Sequence, residues 1–390
     1  MAQVSVIIPT YNRASLLSQA IKSVLEQIYT DLELIVIDDA SSDNTEETVH
    51  SFTDRRLCYI KQKHKGPSCA RNEGIKSSCG EYIAFLDDDD LFLPGKLSSQ
   101  VTKVVENPSA GLVYGLYLSS AGKESLFKTA GVCYQNLELK QLLLGPVFHW
   151  STVMVQRSLL NDVGGFDETV CGEDWELTIR LALAGCRMVC VPEPVTLVRR
   201  QPISNTRDLG YMSSLLDVID KVFRDPRMPL ELMSLRNLAD ASQLIRIAAT
   251  HFVTSKYESG REYLQQAFLT CPSLKDEHFD FLVDTLVYRI RGLAIYDSDV
   301  VLHQATKVLQ GDLAFVKKLA RQLWGKYYEI EAFQAFQLGH RADCAKNVIL
   351  TFLKTPLRLN NRGLLSIFIR SMIGFNLGDP KKVSYPQLLD

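Results

Sequence analysis

The feature of the sequence that most limits its fold is a buried-strand pattern ending in four consecutive carboxylates. The apolar run at residues 82–86 is typical of a buried strand, and Asp87–Asp90 follow it directly. Like charges this close repel one another, so two interpretations compete. The carboxylates either form a solvated acidic turn that caps the helix after Pro94, or surround a divalent cation of the Mg²⁺ or Mn²⁺ type. The cation is favoured because open α/β sheets bind ligands at the carboxyl ends of their strands.

The N-terminal part of the chain alternates between strand patterns and helical patterns. Strands are predicted at residues 4–8, 32–37, 57–60, 81–86 and 195–198. Pro9 is expected to end the first strand, because proline cannot continue a hydrogen-bonded ladder. The alternation predicts an α/β fold with a mostly parallel sheet flanked by helices. Neither GxGxxG nor GxxxxGKS/T occurs, so an anionic ligand would have to be held through a metal and not in a glycine-rich cradle.

A second acidic pair lies at the start of an amphipathic helix predicted from Trp175 onward. Glu173 and Asp174 would then sit at the helix N-terminus, where carboxylates cap the helix and complement its dipole. The same position suits a general base beside a rim of loops, and both interpretations remain open. Residues 148–152 offer polar and aromatic side chains for an acceptor surface. Taken alone, His149 is interpreted as a packed or rim histidine and not as a ligand.

The pattern of the chain changes near residue 209. Strand alternation predicts an α/β domain over residues 1–208, and long apolar helical periodicity predicts a helical domain over residues 209–390. Segments 260–272 and 342–356 are both helical patterns stopped by proline, which suggests degenerate helical-hairpin repeats. The apolar stretch at 364–375 is too short to cross a bilayer. It either packs as a terminal helix, which we favour, or contacts a membrane surface.

Composition and charge narrow the class of protein. The 390 residues carry a formal net charge of −2, so no basic field indicates a nucleic-acid partner. No uncharged apolar stretch reaches about 18 residues and the first strand begins at Val4, so neither a spanning helix nor a signal peptide is expected. The nine cysteines are scattered without a CxxC pair, and we interpret them as reduced thiols of a cytoplasmic protein, most of them in the core. The basic stretch at 199–205 either closes over phosphates or is a solvated linker.

Six motifs occur in one order along the N-terminal half. They are VSVIIPTYNR at 4–13, IVIDDASSD at 35–43, ARNEGI at 70–75, the Asp87–Asp90 cluster, GGFDE at 164–168 and GEDW at 172–175. Together they resemble family 2 glycosyltransferases of the GT-A fold, across about residues 1–205. The resemblance implies a nucleotide-sugar-binding domain with a mixed, mostly parallel sheet, followed in this chain by an all-α C-terminal region.

The resemblance implies roles for residues on the donor side. In such enzymes the loop after the first strand packs on the base and ribose, the residue at Asp39 holds the uracil ring or its equivalent, and the residue at Arg71 lies beside the base and phosphates. Asp88 or Asp87 would contact the ribose. The implied nucleotide-binding set is Pro9, Tyr11, Arg13, Asp39, Arg71, Asp87 and Asp88.

The resemblance also implies the catalytic groups. Asp89 would ligate Mn²⁺ or Mg²⁺, with Asp90 supporting it, and Asp174 would be the base, with Glu173 as its neighbour. A sugar that leaves a nucleoside diphosphate deposits negative charge on the β-phosphate, which a cation neutralises as a Lewis acid. A carboxylate on the opposite side deprotonates the acceptor hydroxyl as it attacks the anomeric carbon. A single displacement of this kind inverts the anomeric configuration.

Processive members of the family carry a QxxRW element and transmembrane helices, and neither occurs in this chain, since Arg-Gln-Leu-Trp at 321–324 does not match. The sequence therefore predicts transfer of one sugar per encounter from a nucleoside-diphosphate sugar, with UDP-sugars the first candidates, to a glycan or lipid-linked acceptor. The predicted location is the cytoplasm, and the alternative is a peripheral position at the inner face of the cell membrane.

Two alternatives compete with a glycosyltransferase. A nucleotidyltransferase would also use an α/β sheet and acidic metal ligands, but it would leave Glu173 and Asp174 without a role. A non-catalytic scaffold that only senses nucleotide sugars would be expected to lose the acidic motifs, which are intact here.

Overall fold

The computed structural model divides the chain into two compact units, one extending to Gln243 and the other beginning at Leu244. It describes residues 3–120, 127–134, 136–199, 209–293, 298–309, 313–337, 339–356 and 361–373. The domain boundary predicted after residue 208 falls between the last strand and the helices that follow. The compact unit that contains the sheet also includes the whole of the first helix after residue 208, Leu209–Phe223. The boundary after residue 208 therefore stays a prediction. Of the basic stretch at 199–205, only Arg199 lies among the described residues.

The first unit contains the strands and the helices that cover them. The strands are β1 (Val4–Thr10), β2 (Leu32–Asp38), β3 (Leu57–Lys61), β4 (Tyr82–Phe85), β5 (Leu91–Phe92), β6 (Ala110–Ser120), β7 (Phe127–Ala130), β8 (Met154–Gln156) and β9 (Arg187–Val198). The helices are α1 (Ala14–Leu25), α2 (Thr45–His50), α3 (Pro67–Ser77), α4 (Lys96–Glu106), α5 (Leu139–Leu143), α6 (Arg157–Val163), α7 (Glu173–Leu183) and α8 (Leu209–Phe223). A short 3₁₀ helix, Trp150–Thr152, precedes β8.

The strands form one mixed sheet in the order β3-β2-β1-β4-β8-β6-β9-β5, with β7 paired to β6. The first four are parallel, whereas β8 is antiparallel to both β4 and β6. The carboxyl ends of parallel neighbours meet at one edge of a sheet, so the residues after β1, β2 and β4 lie together there. The mixed, mostly parallel sheet with flanking helices confirms the predicted α/β class.

All seven residues of β1 are buried because helices cover both faces of the sheet. The even-numbered apolar residues of β1 pack against Leu17 and Ile21 of α1. Ile7 points to the opposite face, since side chains alternate along a strand. There Gly74 of α3 approaches so closely that a Cβ would lie 2.5 Å from the Ile7 side chain. This close approach holds α3 against the sheet, and α3 carries Arg71 to the edge where the strands end.

The prediction that Pro9 ends the first strand is wrong, because β1 continues through Pro9 to Thr10 alongside β2. Successive residues of a parallel strand direct their backbone groups to opposite neighbours. The Ile7 carbonyl accepts a hydrogen bond from the Leu86 amide on the β4 side (3.0 Å). Pro9, two residues later, faces the same side, beyond the end of β4 at Phe85. The missing N–H of proline therefore removes no bond from the ladder.

The prediction of nine reduced thiols is wrong for Cys133 and Cys190, which form a disulfide with a Cα–Cα distance of 5.5 Å. The Tyr134 amide donates to Tyr114 Oη (3.0 Å), and Tyr114 is the register partner of Cys190 in β6 and β9. The segment after β7 is thus held next to β9, which a 57-residue separation in sequence does not indicate. Most cysteines are not in the core either: among the seven free thiols, the buried ones are Cys271 and Cys344.

The described residues of the second unit are helical. After α9 (Arg236–Val253), which crosses the boundary between the units, come α10 (Tyr257–Thr270), α11 (Phe279–Leu293), α12 (Ser298–Val308), α13 (Leu313–Gln337), α14 (Arg341–Lys354) and α15 (Arg362–Ile373). Across the described ranges, no helix combines the length and the apolar character needed to cross a membrane.

Two helices of this unit, α10 and α14, share the same local geometry 84 positions apart (339 − 255 and 355 − 271). Each has 14 residues and follows a left-handed residue, Ser255 (φ 61°) or Gly339 (φ 75°). Each ends at a residue of nearly identical conformation before a proline, Cys271 (φ −134°, ψ 84°) or Thr355 (φ −136°, ψ 77°). The helical-hairpin repeat stays a prediction, and this matched backbone supports it.

Candidate active site

The four aspartates form a tight turn at the carboxyl end of β4. The Asp90 amide donates to the Asp87 carbonyl (2.9 Å), and Asp88 and Asp90 are only 5% and 1% exposed. Helix α4 begins at Lys96 with Gly95 as its N-cap, and no side chain caps it. The interpretation of the aspartates as a solvated, helix-capping turn is therefore wrong.

Arg13, in the loop after β1, pairs with two of the four carboxylates. Its Nη1 donates to Asp88 Oδ1 (2.9 Å) and to Asp89 Oδ2 (3.0 Å). Thr10 Oγ1 donates to the other oxygen of Asp88 (2.8 Å). Burial raises the pKa of Asp88 to about 6, and the charge of Arg13 opposes this shift. At the end of β9, the Arg199 side chain donates to the backbone carbonyl of Asp89, so this acidic turn is held from two sides.

Asp87, Asp90 and His149 form a candidate metal centre. One ligand atom from each lies within 4.8 Å of the others, and His149 Nδ1 is 3.5 Å from Asp90 Oδ2. Ser151 Oγ donates to the same Asp90 oxygen (2.6 Å). Burial, and then the charges of Asp87 and Asp89, raise the pKa of Asp90 well above its usual value. A divalent cation would remove this repulsion, and two carboxylates with an imidazole suit Mn²⁺, so the residues fit such an ion.

Asp89, the metal ligand expected from the resemblance, is not a member of this group of three. Its carboxylate is 19% exposed and pairs with Arg13, on the side of the turn toward β1. The assignment of Asp89 as the ligand therefore stays a prediction. His149 lies at the rim with 34% of its side chain exposed, as its interpretation as a rim histidine expects, but it also joins the candidate metal group.

Arg71 of α3 connects the acidic turn to the second acidic pair. Its Nη2 donates to Asp87 Oδ1 (2.9 Å) and its Nη1 to Glu173 Oε1 (2.8 Å). Burial disfavours the charged guanidinium, but Asp87 and Glu173 outweigh it and raise the pKa of Arg71. The Nε atom of Arg71 is buried without a hydrogen-bond partner among the described residues. Asp87 and Glu173, 86 positions apart in sequence (173 − 87), are thus joined by one cation.

Asp174 lies in the first turn of α7, which begins at Glu173, two residues earlier than the sequence predicts. The helix starts abruptly because Gly172 is left-handed (φ 84°), and neither carboxylate caps it as an N-cap residue. Asp174 Oδ1 accepts from the Trp175 amide (2.7 Å), and Trp150 Nε1 donates to the Asp174 carbonyl (2.9 Å). Burial, and then the charge of Glu173, raise the pKa of Asp174 to about 6. A carboxylate with such a pKa is suited to accept a proton near neutral pH.

Asp39, at the carboxyl end of β2, is the best-held carboxylate of this edge. It accepts from the backbone amides of Lys65 and Gly66 (2.8 Å each) and from Gln62 Nε2 (2.7 Å). Burial would raise the pKa of Asp39, but these hydrogen bonds and His64 outweigh it and lower the pKa. The His64 ring is 2.9 Å from Asp39 through Nδ1. Asp39 is therefore ionised and fixed in position.

Tyr11 stands beside this carboxylate. Its ring lies against His64 with centroids 4.4 Å apart, and it is 46% exposed. An exposed aromatic pair next to a fixed carboxylate is a surface on which a nucleobase can stack and hydrogen-bond. Pro9 lies within β1 and is buried, so it supports this loop from below.

Comparison with known proteins identifies a family for the N-terminal part of the chain. Residues 5–164 match the family model for glycosyl transferase family 2. This part of the chain belongs to glycosyl transferase family 2. The family 2 domain is 37% identical over 159 residues to the E. coli UDP-Glc:alpha-D-GlcNAc-diphosphoundecaprenol beta-1,3-glucosyltransferase WfgD, across 40% of this chain and 62% of that protein. With two Rickettsia glycosyltransferases the match covers 18% and 16% of the relatives, so the chain spans less than two thirds of these curated relatives.

Solved structures resemble the fold at lower identity. The S. aureus TarS 1–349 complex with UDP-GlcNAc matches over 97% of this chain and 93% of its own, with a TM-score of 0.52 and 16% identity. The Pyrobaculum calidifontis mannosyltransferase PcManGT, in complex with GDP-Man and Mn²⁺, matches over 76% and 87%, with a TM-score of 0.51 and 21% identity. At these identities the likeness establishes the shared GT-A-like fold.

Helix α8, which lies beyond the matched residues 5–164, is attached by charge to α7 and to the loop before it. Lys221 Nζ lies 2.6 Å from Glu176 Oε1 and also pairs with Asp167 of the GGFDE motif. A Cβ on Gly172 would lie 2.4 Å from the Leu215 side chain, so the loop before α7 needs a glycine to meet α8. Burial, and then the nearby charges of Asp174 and Glu173, raise the pKa of Tyr211 at the start of α8.

Sequence reasoning missed three contributions to the candidate active site. Ser151 follows His149 in the stretch considered only as an acceptor surface, yet its hydroxyl holds Asp90. His64 carries no motif, and only its position between β3 and α3 brings it to Asp39. Tyr211 lies beyond the predicted domain boundary, so its proximity to Asp174 depends on the packing of α8.

Proposed function

We propose that this chain is a metal-dependent, inverting glycosyltransferase that moves one sugar from a nucleoside-diphosphate sugar to a hydroxyl group of a lipid-linked glycan or related acceptor. The observation that carries the proposal is the convergence of two acidic centres on Arg71: the Asp87 side of the turn after β4, and Glu173 beside Asp174. One centre suits a cation and a diphosphate, and the other suits proton removal.

The base of the reaction is Asp174. The acceptor O–H loses its proton to the Asp174 carboxylate as the oxygen forms a bond with the anomeric carbon. The bond from that carbon to the β-phosphate oxygen breaks, and its electron pair leaves with the nucleoside diphosphate. One displacement inverts the configuration and needs no covalent intermediate. A base with a pKa near 6 is ionised at neutral pH and still basic enough to assist the attack.

On the donor side, separate residues are proposed to bind the nucleobase, the diphosphate and the metal ion. Asp39 provides a hydrogen-bonding group for the nucleobase of the donor, and Tyr11 provides a ring on which it stacks. Arg13 and Asp88 border the path toward the diphosphate. Mn²⁺ or Mg²⁺ would be held by Asp87, Asp90 and His149, or by Asp89 as the resemblance expects, and would supply Lewis-acid stabilisation of the leaving diphosphate. Arg71 orients Asp87 and Glu173 from beneath.

The substrate class is suggested by relatives and neighbours of known function. The name of the E. coli relative states a UDP-glucose donor and an acceptor linked to diphosphoundecaprenol. The neighbouring structures hold UDP-GlcNAc and GDP-Man. We therefore propose a UDP-sugar as the first donor to test, a lipid-linked acceptor, and a cytoplasmic chain that meets this acceptor at the membrane.

The test has two stages. Thermal unfolding of the full chain with Mn²⁺ and each of UDP-glucose, UDP-GlcNAc and GDP-mannose should single out a donor, because a ligand at 100 Kd stabilises by about 2.7 kcal/mol. Transfer from that donor to a diphosphoundecaprenol-linked sugar is then followed by mass spectrometry. Donor binding without transfer to any lipid-linked or free glycan acceptor would favour the nucleotide-sugar-sensing scaffold. Release of a nucleoside monophosphate into a new diester would favour the nucleotidyltransferase.

A further inference from the structure

The two C-terminal helices described, α14 and α15, expose large apolar side chains on their outer faces. Ile349 and Leu353 lie one turn apart on α14 and are 48% and 69% exposed, and Ile369 and Met372 lie three apart on α15 and are 55% and 68% exposed. The opposite faces of both helices pack into one core cluster, formed by Ala332, Ala335, Cys344, Val348, Leu364 and Ile367. Single exposed apolar residues are ordinary, but paired ones on adjacent helices indicate a contact surface.

The charge on these two helices is strongly positive. They carry five cationic residues, Arg341, Lys346, Lys354, Arg362 and Arg370. The only acidic residue within the two helices is Asp343. The whole chain, by contrast, has a formal net charge of −2. An excess of cations on two helices that also expose apolar side chains points to an anionic partner.

A groove of about 550 Å³ between α13 and α14 continues this positive surface. The described residues that line it include Lys317, Lys318, Arg321 and Lys354, and none of these lining residues is a carboxylate. None of these four pairs with an acidic side chain in the described part of the chain. Elsewhere in this unit cations do have partners, as Lys326 has in Asp284 (3.0 Å).

Local structure explains the grouping of these cations only in part, since Lys354 lies in the last turn of α14, where the helix dipole favours a cation. Lys318 lies over the Phe279 ring (4.2 Å) and Arg321 Nε donates to the Lys354 carbonyl (3.4 Å), and neither contact neutralises a charge. Lys317, Lys318 and Arg321 lie in the first half of α13, nearer the positive end of the helix dipole, so the dipole does not favour them there. Ala314 and Pro356, with the aliphatic stems of the lysines, make the groove walls apolar.

We propose that α13, α14 and α15 form a docking surface for an anionic phospholipid bilayer, with lipid phosphates in the groove and the exposed apolar residues in the interface. The groove cations next to exposed aliphatic side chains match the two layers of such a membrane, its charged headgroups and the upper acyl region. Nucleic acid would use the cations but leave Leu353 and Met372 without a role. The proposal deepens the proposed function, since docking would bring the chain to a lipid-borne acceptor, but its test uses neither donor nor acceptor.

The test is flotation of the full chain with vesicles of phosphatidylcholine alone and vesicles that also contain phosphatidylglycerol. We expect binding only to the mixed vesicles, weakening as salt is raised. The Lys317→Gln/Lys318→Gln/Arg321→Gln variant should bind on the order of a hundredfold more weakly, since each surface cation contributes roughly fivefold. Leu353→Ser/Met372→Ser should bind roughly tenfold or more weakly, because interfacial apolar area is lost.

A matched control separates this surface from a general loss of charge or apolar area. Lys256→Gln/Leu269→Ser changes one exposed lysine and one leucine that is 82% exposed, both near α10 in the same unit, and should bind as the unmodified chain does. Circular dichroism checks that all variants keep their helices. Equal binding by the triple glutamine variant, or no binding of the unmodified chain to anionic vesicles, overturns the proposal. The proposal is also overturned if sedimentation shows a dimer that Leu353→Ser dissociates. It is overturned as well if glycerol phosphate stabilises the chain against unfolding while the chain binds no vesicles.

Discussion

At the scale of single residues, carboxyl groups along one sheet edge have pKa values that are shifted in opposite directions. Asp174 and Asp88 are deeply buried, and although Thr10 and Arg13 donate to Asp88, burial raises the pKa of both carboxyl groups to about 6. Asp39 is also shielded, but two backbone amides and a glutamine donate to it, so its pKa falls. The environment thus suits Asp174 to the proton transfer proposed for it and suits Asp39 to fixed hydrogen-bond acceptance.

The first residue-scale prediction concerns Asp174→Asn. Transfer should fall by on the order of 10²–10⁴, the usual contribution of a positioned base, while donor binding persists. Because the base must be deprotonated, the unmodified rate should rise with pH through about 6, and the residual rate of the variant should lack this rise. Initial rates at saturating donor across pH 5 to 8, roughly the range set by such a pKa, measure both effects.

Stability and a control variant sharpen this test. The folded pKa of Asp174 lies above the value of 3.8 for an unperturbed aspartate, so its ionisation costs stability, and this cost is complete above the folded pKa. An asparagine at this position carries no charge, so the variant should be at least as stable as the unmodified chain at pH 7. Glu173→Gln should lower activity less. A transfer rate of Asp174→Asn within a few-fold of normal would remove it from the mechanism and leave Glu173 as the next candidate.

The second prediction decides between the metal ligands. If Asp87, Asp90 and His149 hold the ion, His149→Ala should abolish the extra stabilisation that Mn²⁺ gives to the chain with nucleoside diphosphate, and Asp89→Asn should retain most of it. If the ligand is Asp89, Asp89→Asn should abolish this stabilisation and His149→Ala should retain most of it. Thermal unfolding with and without EDTA measures the difference, since a ligand at 100 Kd contributes about 2.7 kcal/mol. If both variants keep the stabilisation by Mn²⁺, both metal assignments are contradicted.

At the scale of elements, α8 extends the site beyond the residues that the motifs cover. Lys221 faces Glu176, which is 1% exposed, and Asp167 of the loop before α7. Val218 and Leu215 of α8 are buried as well, 0% and 4% exposed. The helix therefore fixes the loop and the start of α7, where Asp174 lies.

The third prediction follows from Lys221. Lys221→Met should lower the free energy of unfolding by about 1–2 kcal/mol, because a buried carboxylate loses a partner, while the partial exposure of the lysine limits the loss. Lys103→Met is the control, since Lys103 pairs with an exposed glutamate and its removal should cost under about 0.5 kcal/mol. Urea unfolding measures both. Equal values for the two variants would mean that α8 is not held by this charge.

What the sequence predicts at this scale follows from local patterns. The strands of the parallel half and the acidic turn were predictable, because apolar runs and strand ends are local features. The extension of β1 through Pro9 was not, since it depends on where β4 ends. Nor was the length of β9, where only residues 195–198 carry a clear strand pattern and Pro192 and Pro194 interrupt the rest. The site contacts of Arg71 and Ser151 depend on pairs far apart in sequence, which no local pattern specifies.

At the scale of the whole molecule, the change from strands to helices and the division into compact units occur at different places. Strands end at Val198, whereas the first unit extends to Gln243. The sequence predicted the change of pattern correctly, because it is a matter of composition and period. The sequence does not show which helices belong to the unit that contains the sheet. That depends on contacts between distant residues, such as the one between Gly172 and Leu215.

The fourth prediction compares two fragments. A fragment of residues 1–253, which ends with α9, should unfold cooperatively and bind the donor. A fragment of residues 1–208 lacks Lys221 and the buried face of α8, so it should be several kcal/mol less stable, as expected for loss of a packed helix. Denaturant unfolding and donor titration measure both. Equal stability and donor affinity of the two fragments would show that residues 1–208 form a complete domain, as the sequence predicts.

The bridge made by Arg71 has a consequence for the order in which substrates arrive. One guanidinium holds Asp87 and Glu173, so a diphosphate that draws it toward the donor would loosen its hold on Glu173, next to the proposed base Asp174. Donor and acceptor then cannot bind independently, and we predict a compulsory order in which the donor enters first. Product inhibition should show the nucleoside diphosphate competing with the donor alone. In Arg71→Lys, which cannot reach both carboxylates at once, the order should become random.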